Sequence, residues 1–262
     1  MDLNLSSKNA IVCGSTQGIG KASAIEIALL GANVTLVARN EDALKKTIGE
    51  LDSSKGQKHN YIVADFSDPA SLKEKVAAYV SKNASVHILV NNTGGPKGGP
   101  IINAQTDEFT QAFSAHLICN HILVQALVEG MKKEKYGRII NIISTSVKQP
   151  LKNLGVSNTI RAAVGNWAKT LSLELAQFGI TVNNVLPGMT DTQRIRDLLS
   201  ARSKATGKSV EELEKEMLAE IPAGRVARPA EVAAAVAFLA TPAAAYINGI
   251  NVPVDGGRTG NL

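Results

Sequence analysis

Seven short apolar runs, separated by stretches of helical periodicity, constrain the fold of this chain more than any other feature. They lie at Ala10–Cys13, Asn33–Ala38, Tyr61–Ala64, His87–Val90, Arg138–Ile143, Thr181–Leu186 and Ile250–Val254. A strand that is apolar on both faces must be covered on both, and intervening helices supply that cover. The alternation predicts an α/β fold: a doubly wound parallel sheet of seven strands, with right-handed crossovers and helices on both faces. Helix punctuation agrees with it. Pro69 and Pro229 suit first-turn positions, Ser209 and Glu212 form a capping box, and Gly179 suits the residue just past a helix beginning near Gly155. With 262 residues, 44% of them hydrophobic, the chain is long enough for one domain, 1–262, to bury such a sheet.

Composition narrows the partners. The first strand begins close to Met1, so no signal or transit peptide is expected, and no run approaches the ~18 consecutive apolar residues of a membrane span. Cys13 and Cys119, far apart in apolar settings, read as buried thiols of a reduced, cytoplasmic compartment. The net charge of +5 is spread without interleaved aromatics, which argues against a nucleic-acid partner. His59, His87 and His121 show no metal-ligand spacing.

Ile11–Gly20 reads as strand, tight turn and helix, with Gly14, Gly18 and Gly20 at the turn. Such a turn lets backbone approach a pyrophosphate, and the N–H groups of the helix start favour its charge. After the second strand stands Arg39, where an acidic residue would select NAD through the adenosine ribose. A guanidinium suits a 2′-phosphate instead, so NADP(H) is expected over NAD(H). Asp65, after the third strand, suits the adenine amino group.

These motifs, with Asn91-Asn92-Thr93-Gly94, Gly137-Arg138-Ile139, Pro187-Gly188, Ile221–Arg225 and Val254–Gly257 in the same order, resemble the short-chain dehydrogenase/reductase family. The likeness spans essentially the whole chain and is greatest to the 3-oxoacyl-acyl-carrier-protein reductase branch. It implies a Rossmann-like sheet, a small-molecule substrate and a homotetramer whose interface uses the helices around Phe109–Met131 and Gly155–Phe178. Val164, Trp167, Leu171 and Leu175 are the expected extra apolar stripe. It also implies a cofactor-binding set of Gly14, Ser15, Thr16, Gln17, Gly18, Ile19, Gly20, Arg39, Asp65, Phe66, Asn91, Thr93, Gly94, Arg161, Pro187, Gly188, Thr190 and Thr192. A substrate lid is expected over 189–222, beside an adaptable loop at Gly94–Pro100.

The catalytic pattern departs from the family's. Active members carry Ser, then Tyr-x-x-x-Lys, and an Asn on an earlier helix. Here Ser144 matches, but Ser157 stands at the Tyr position, Arg161 at the Lys position and His116 at the Asn position. No tyrosine lies between 149 and 170 to restore the pattern in another register. A serine hydroxyl is too weak an acid to replace a tuned phenol, and arginine is always charged. Arg161 is expected to anchor the nicotinamide ribose, and His116, with an unperturbed pKa of about 6.5, either donates the proton, directly or through a water, or is a helix-interface histidine bonded to a neighbour. Lys148 and Lys152 are the next acid candidates. Three readings stay open: an oxidoreductase with a non-standard donor, a catalytically silent dinucleotide-binding protein, and a non-redox enzyme that uses the nucleotide structurally.

Overall fold

β1 (Asn9–Cys13), β2 (Asn33–Ala38), β3 (Asn60–Val63), β4 (Ile88–Asn91), β5 (Gly137–Ile142), β6 (Ile180–Pro187) and β7 (Asn251–Val254) form one parallel sheet in the order β3-β2-β1-β4-β5-β6-β7. The computed structural model describes residues 1–261; residue 262, the last of the expected domain, lies outside them. The order reverses between β1 and β4, and in an open α/β sheet the crevice for ligands lies at the C-terminal ends of the strands beside that reversal. Each run predicted from the sequence is a strand, with ends shifted by one residue at most.

Two large clusters bury the sheet. One packs α1 (Gly18–Leu29) and α9 (Pro229–Ala240) against Val12, Val34, Val90 and Val185. The other packs α3 (Pro69–Val80) and α5 (Cys119–Glu134) against Ile11, Leu89, Ile139 and Val182. Pro69 and Pro229 open their helices, Ser209 caps α8 (Val210–Ala219) reciprocally with Glu212, and Gly179 takes a left-handed φ of 74° after α6 (Gly155–Leu175). α2 (Glu41–Ile48) and α7 (Gln193–Thr206) complete the set with α4 (Thr106–Phe113).

α4 and α5 are joined without a break by a π-helical turn, Ser114–Ile118, which carries His116. By length and composition alone this continuous helix is apolar enough to cross a membrane. It is instead a flank of the core, with Leu123, Val124, Leu127 and Met131 packed under the sheet. Cys13 and Cys119, remote in sequence, share that cluster as free, fully buried thiols. The apolar stripe of α6 also turns inward: Val164 and Leu175 are buried, and Trp167 and Leu171 pack on the core. Expected as surplus for an interface, these four are used within the chain. Leu173, Phe113 and Ile118 are the exposed apolar residues of these helices.

Candidate active site

The glycines after β1 are fixed by contact. Gly14 has φ +58°, and a Cβ there would stand 2.6 Å from Asn92 Nδ2. A Cβ on Gly20 would overlap the Gly14 carbonyl oxygen. Asn92, after β4, donates to the carbonyls of Cys13 and Gly14 and so holds the turn from the neighbouring strand. α1 begins at Gly18 with no side-chain cap and no acidic residue in its first turn. Its free N–H groups therefore face outward unsatisfied, which suits a pyrophosphate. Thr192 lies against Gly18, where a Cβ would stand 3.1 Å from its Cγ2, and an open cavity of about 310 Å³ beside them, along α1, is lined by Gln17, Lys21, Ile25, Asp191 and Arg196. Ser15 is buried behind the turn, Thr16 is half-buried and Gln17 exposed at the helix entry, and Ile19 packs against the core.

At the adenosine end, Arg39 is exposed and reaches Asp65 at 3.9 Å. The Ser67 backbone N–H, with Arg39 adding to it, holds the Asp65 carboxyl below its ordinary pKa. Phe66 is buried, and its carbonyl accepts from the Cys119 thiol at 3.3 Å. Asn91 is buried at the end of β4, whereas Thr93 is half-buried and Gly94 exposed. After β6, Pro187 and Gly188 pass so close to Asp255 that a Cβ on Gly188 would stand 2.6 Å from its Cα. Thr190 is buried and donates to the Gly188 carbonyl.

The four positions of the altered catalytic pattern gather beside the end of β5. Ser144 caps a short turn, Thr145–Val147, by accepting from the Ser146 N–H at 3.1 Å. Ser157 and Arg161 lie one turn apart on α6, the serine half-buried and the arginine buried. Arg161 Nη1 donates to the Ile142 carbonyl at 3.0 Å, two residues before Ser144. His116 projects from the π turn, a kind of insertion common at functional sites, and bonds the Gly94 backbone.

The surroundings of His116 bear on its two readings. Burial, then the Arg161 charge, push the His116 pKa down from 6.5 to about 2, despite its bond to Gly94. The ring is a neutral imidazole throughout the working range of pH. That favours a helix-interface histidine over a donor titrating near neutrality, because solvation, which sets the ordinary value, is lost. Arg161 is also depressed by burial and by Arg194, to about 10, and stays charged at neutral pH.

The profile of the enoyl-(acyl carrier protein) reductase family matches residues 14–259. This chain is a short-chain dehydrogenase/reductase. It belongs to a family of NAD(P)-dependent oxidoreductases. The 3-oxoacyl-acyl-carrier-protein reductase FabG of Vibrio cholerae is 35% identical over 258 residues, 97% of this chain and 98% of that one. Among solved structures, the L-sorbose reductase of Gluconobacter frateurii, complexed with NADPH and L-sorbose, superposes with a TM-score of 0.93 at 30% identity over the whole of both chains. A variant actinorhodin polyketide ketoreductase with NADPH gives 0.90 at 32% identity, covering 97% of this chain and 98% of that one.

For this short-chain dehydrogenase/reductase, several site-shaping contacts escaped the sequence reading, which had placed Asn91 in the cofactor-binding set without its partners. Asn91, Asn141, Asn184 and Asn251 form a side-chain ladder across β4, β5, β6 and β7, each amide donating to the next at 2.8–2.9 Å. Four in-register asparagines inside buried strand runs were its only visible signal. The ladder ends on the Asn91 Oδ1, which is buried with no partner, as is the Ser146 hydroxyl. Arg194, on α7, donates to the Pro96 carbonyl and joins the segment after β6 to the Gly94–Pro100 loop. Nothing in an amphipathic charged stretch singled it out. The same loop is fastened at its other end by Gly99, which donates to the Asn153 carbonyl at 2.7 Å.

Proposed function

We propose that this chain is an NADP(H)-dependent oxidoreductase acting on a small carbonyl or oxoacyl compound, with solvent rather than a side chain supplying the proton. The carrying observation is the glycine cradle of β1 and α1, uncapped at the helix start and closed by Thr192. The reduced cofactor, when bound, supplies a hydride to the carbonyl carbon, and the balance is carbonyl plus NADPH plus H⁺ to alcohol plus NADP⁺. Arg39 pairs the 2′-phosphate, after leaving Asp65. Gly14–Gly20 hold the pyrophosphate, Arg161 anchors the nicotinamide ribose, and Pro187, Gly188, Thr190 and Thr192 meet the carboxamide. Ser144 and Ser157 hydrogen-bond the carbonyl oxygen and stabilise its developing charge. Neutral His116 orients the Gly94 backbone beside them.

Residues 189–222 act as the lid. A two-residue bridge pins its base, with the Asp191 N–H donating to the Ala227 carbonyl and the Ala227 N–H to the Met189 carbonyl. The assembly is a homotetramer in the cytoplasm, its interface now assigned to the exposed Phe113, Ile118 and Leu173. NADPH and NADH titrations beside a carbonyl and alcohol panel test the reading. NADPH oxidation with any carbonyl supports it. Ser157 at the expected Tyr position, with no tyrosine between 149 and 170, favours a second reading, a dinucleotide-binding protein without turnover. Tight NADPH binding with no turnover across the panel selects that one.

A further inference from the structure

Two arginines are the only buried side chains with a permanent charge among the described residues. They differ in how the surroundings answer that charge. Arg138, on β5, donates from Nε to the Thr241 carbonyl and from Nη1 to the carbonyls of Gly137 and Gly179, and lies 4.1 Å over the Tyr136 ring. Among the described residues Arg161 makes a single hydrogen bond, to the Ile142 carbonyl, although a guanidinium has five N–H donors. No carboxylate among the described residues pairs with it. The ionisable groups that face it are His116, which is neutral, and Arg194, which adds like charge. A buried cation left this way is costly unless a ligand brings the counter-charge.

Arg194 approaches from the lid side. Its guanidinium lies along Gly95 and bonds the Pro96 carbonyl, while Gly94 of the same loop bonds His116. The loop that holds Arg194 at Pro96 thus also meets His116 at Gly94, and Arg194 and Arg161 are close enough for their charges to oppose one another. Asp197 favours the charged form of Arg194, whereas the charge of Arg161 has no carboxylate against it among the described residues and is the surplus. Ribose hydroxyls are neutral and do not remove it. Ser157 stands one helical turn from Arg161, about 5–6 Å between Cβ atoms. An anion held by the arginine is therefore within a bond or two of a carbonyl held by the serine.

We infer that the substrate is a small 2-oxo acid, whose carboxylate is clamped between Arg161 and Arg194 while its neighbouring carbonyl faces Ser144 and Ser157. A monoanionic carboxylate matches the surplus charge, and its two oxygens match the guanidinium fork. The inference rests on the oxidoreductase reading for the carbonyl, but the clamp is measurable apart from it.

The test is calorimetry on the protein saturated with NADP⁺, titrated with pyruvate and 2-oxohexanoate and with their methyl esters. The acids should bind at least about tenfold tighter than the esters, as expected for charge-assisted hydrogen bonds. Arg194→Gln should weaken acid binding about tenfold, leave the esters unchanged and leave the NADPH dissociation constant unchanged; in turnover it should raise KM more than it lowers kcat. Arg161→Gln should leave the ligand-free melting temperature unchanged or raise it, whereas Arg138→Gln should lower it. Equal affinity for acid and ester, or binding of neither, overturns the clamp while the cofactor reading stands. Acids preferred by a protein that binds no NADPH would retain the clamp and sink the cofactor reading. A fall in melting temperature for Arg161→Gln as large as for Arg138→Gln makes Arg161 a structural residue and also overturns it.

Discussion

In the cofactor half of the cleft, backbone proximity dictates residue identity: Gly14 and Gly20 have no room for a Cβ, and Asn92 locks the turn they form. In the proposed substrate half, around Ser157, Arg161 and His116, no such backbone crowding is seen at the side chains, and identity is left to chemistry. Backbone crowding punishes almost any change, so the first half keeps its pattern through sequence divergence. Side chains that face a cleft have room to be exchanged, and the function moves with them.

The largest test of that contrast is to rebuild the substrate half. Ser157→Tyr with Arg161→Lys should raise carbonyl reduction by roughly 10²-fold or more, the usual contribution of a positioned acid/base. Stopped-flow NADPH oxidation reads it. No gain in a variant that still binds NADPH would mean that the pocket has diverged beyond its catalytic residues.

Arg39→Asp should come next. A guanidinium bound to phosphate contributes about 1.5–3 kcal/mol, so its replacement should invert the NADPH/NADH preference by at least about tenfold. A ratio near unity before and after would remove Arg39 from the site. Arg161→Ala tests whether one residue serves both halves, and should weaken NADPH binding by roughly tenfold. An unchanged dissociation constant restricts Arg161 to the substrate side.

The smallest effect concerns His116. Its folded pKa of about 2 lies below the ordinary 6.5, so the unfolded chain takes up the proton first as pH falls. The contribution to stability is full above pH 6.5 and is lost below it, at about 1.4 kcal/mol per pH unit. His116→Gln should therefore melt with a smaller drop between pH 7 and pH 5 than the native protein. A drop of the same size would mean that the imidazole is solvated and charged.

The sequence by itself determined the seven strands, the caps at Pro69, Pro229 and Ser209, and the glycine turn. Strand burial, proline geometry and positive φ are written in residues adjacent along the chain. It also paired Ser157 with Arg161, because their spacing on α6 is a local count. Only the tertiary structure decided what those residues are. His116 is neutral because a π turn buries it near Arg161, 45 positions away in the sequence by the difference of their numbers. The asparagine ladder exists because four strands align in register, and Arg194 reaches Pro96 because α7 folds back onto the Gly94–Pro100 loop. Solvation, ion pairing and hydrogen-bond register depend on distances between segments remote in the chain, and local periodicity does not encode those distances.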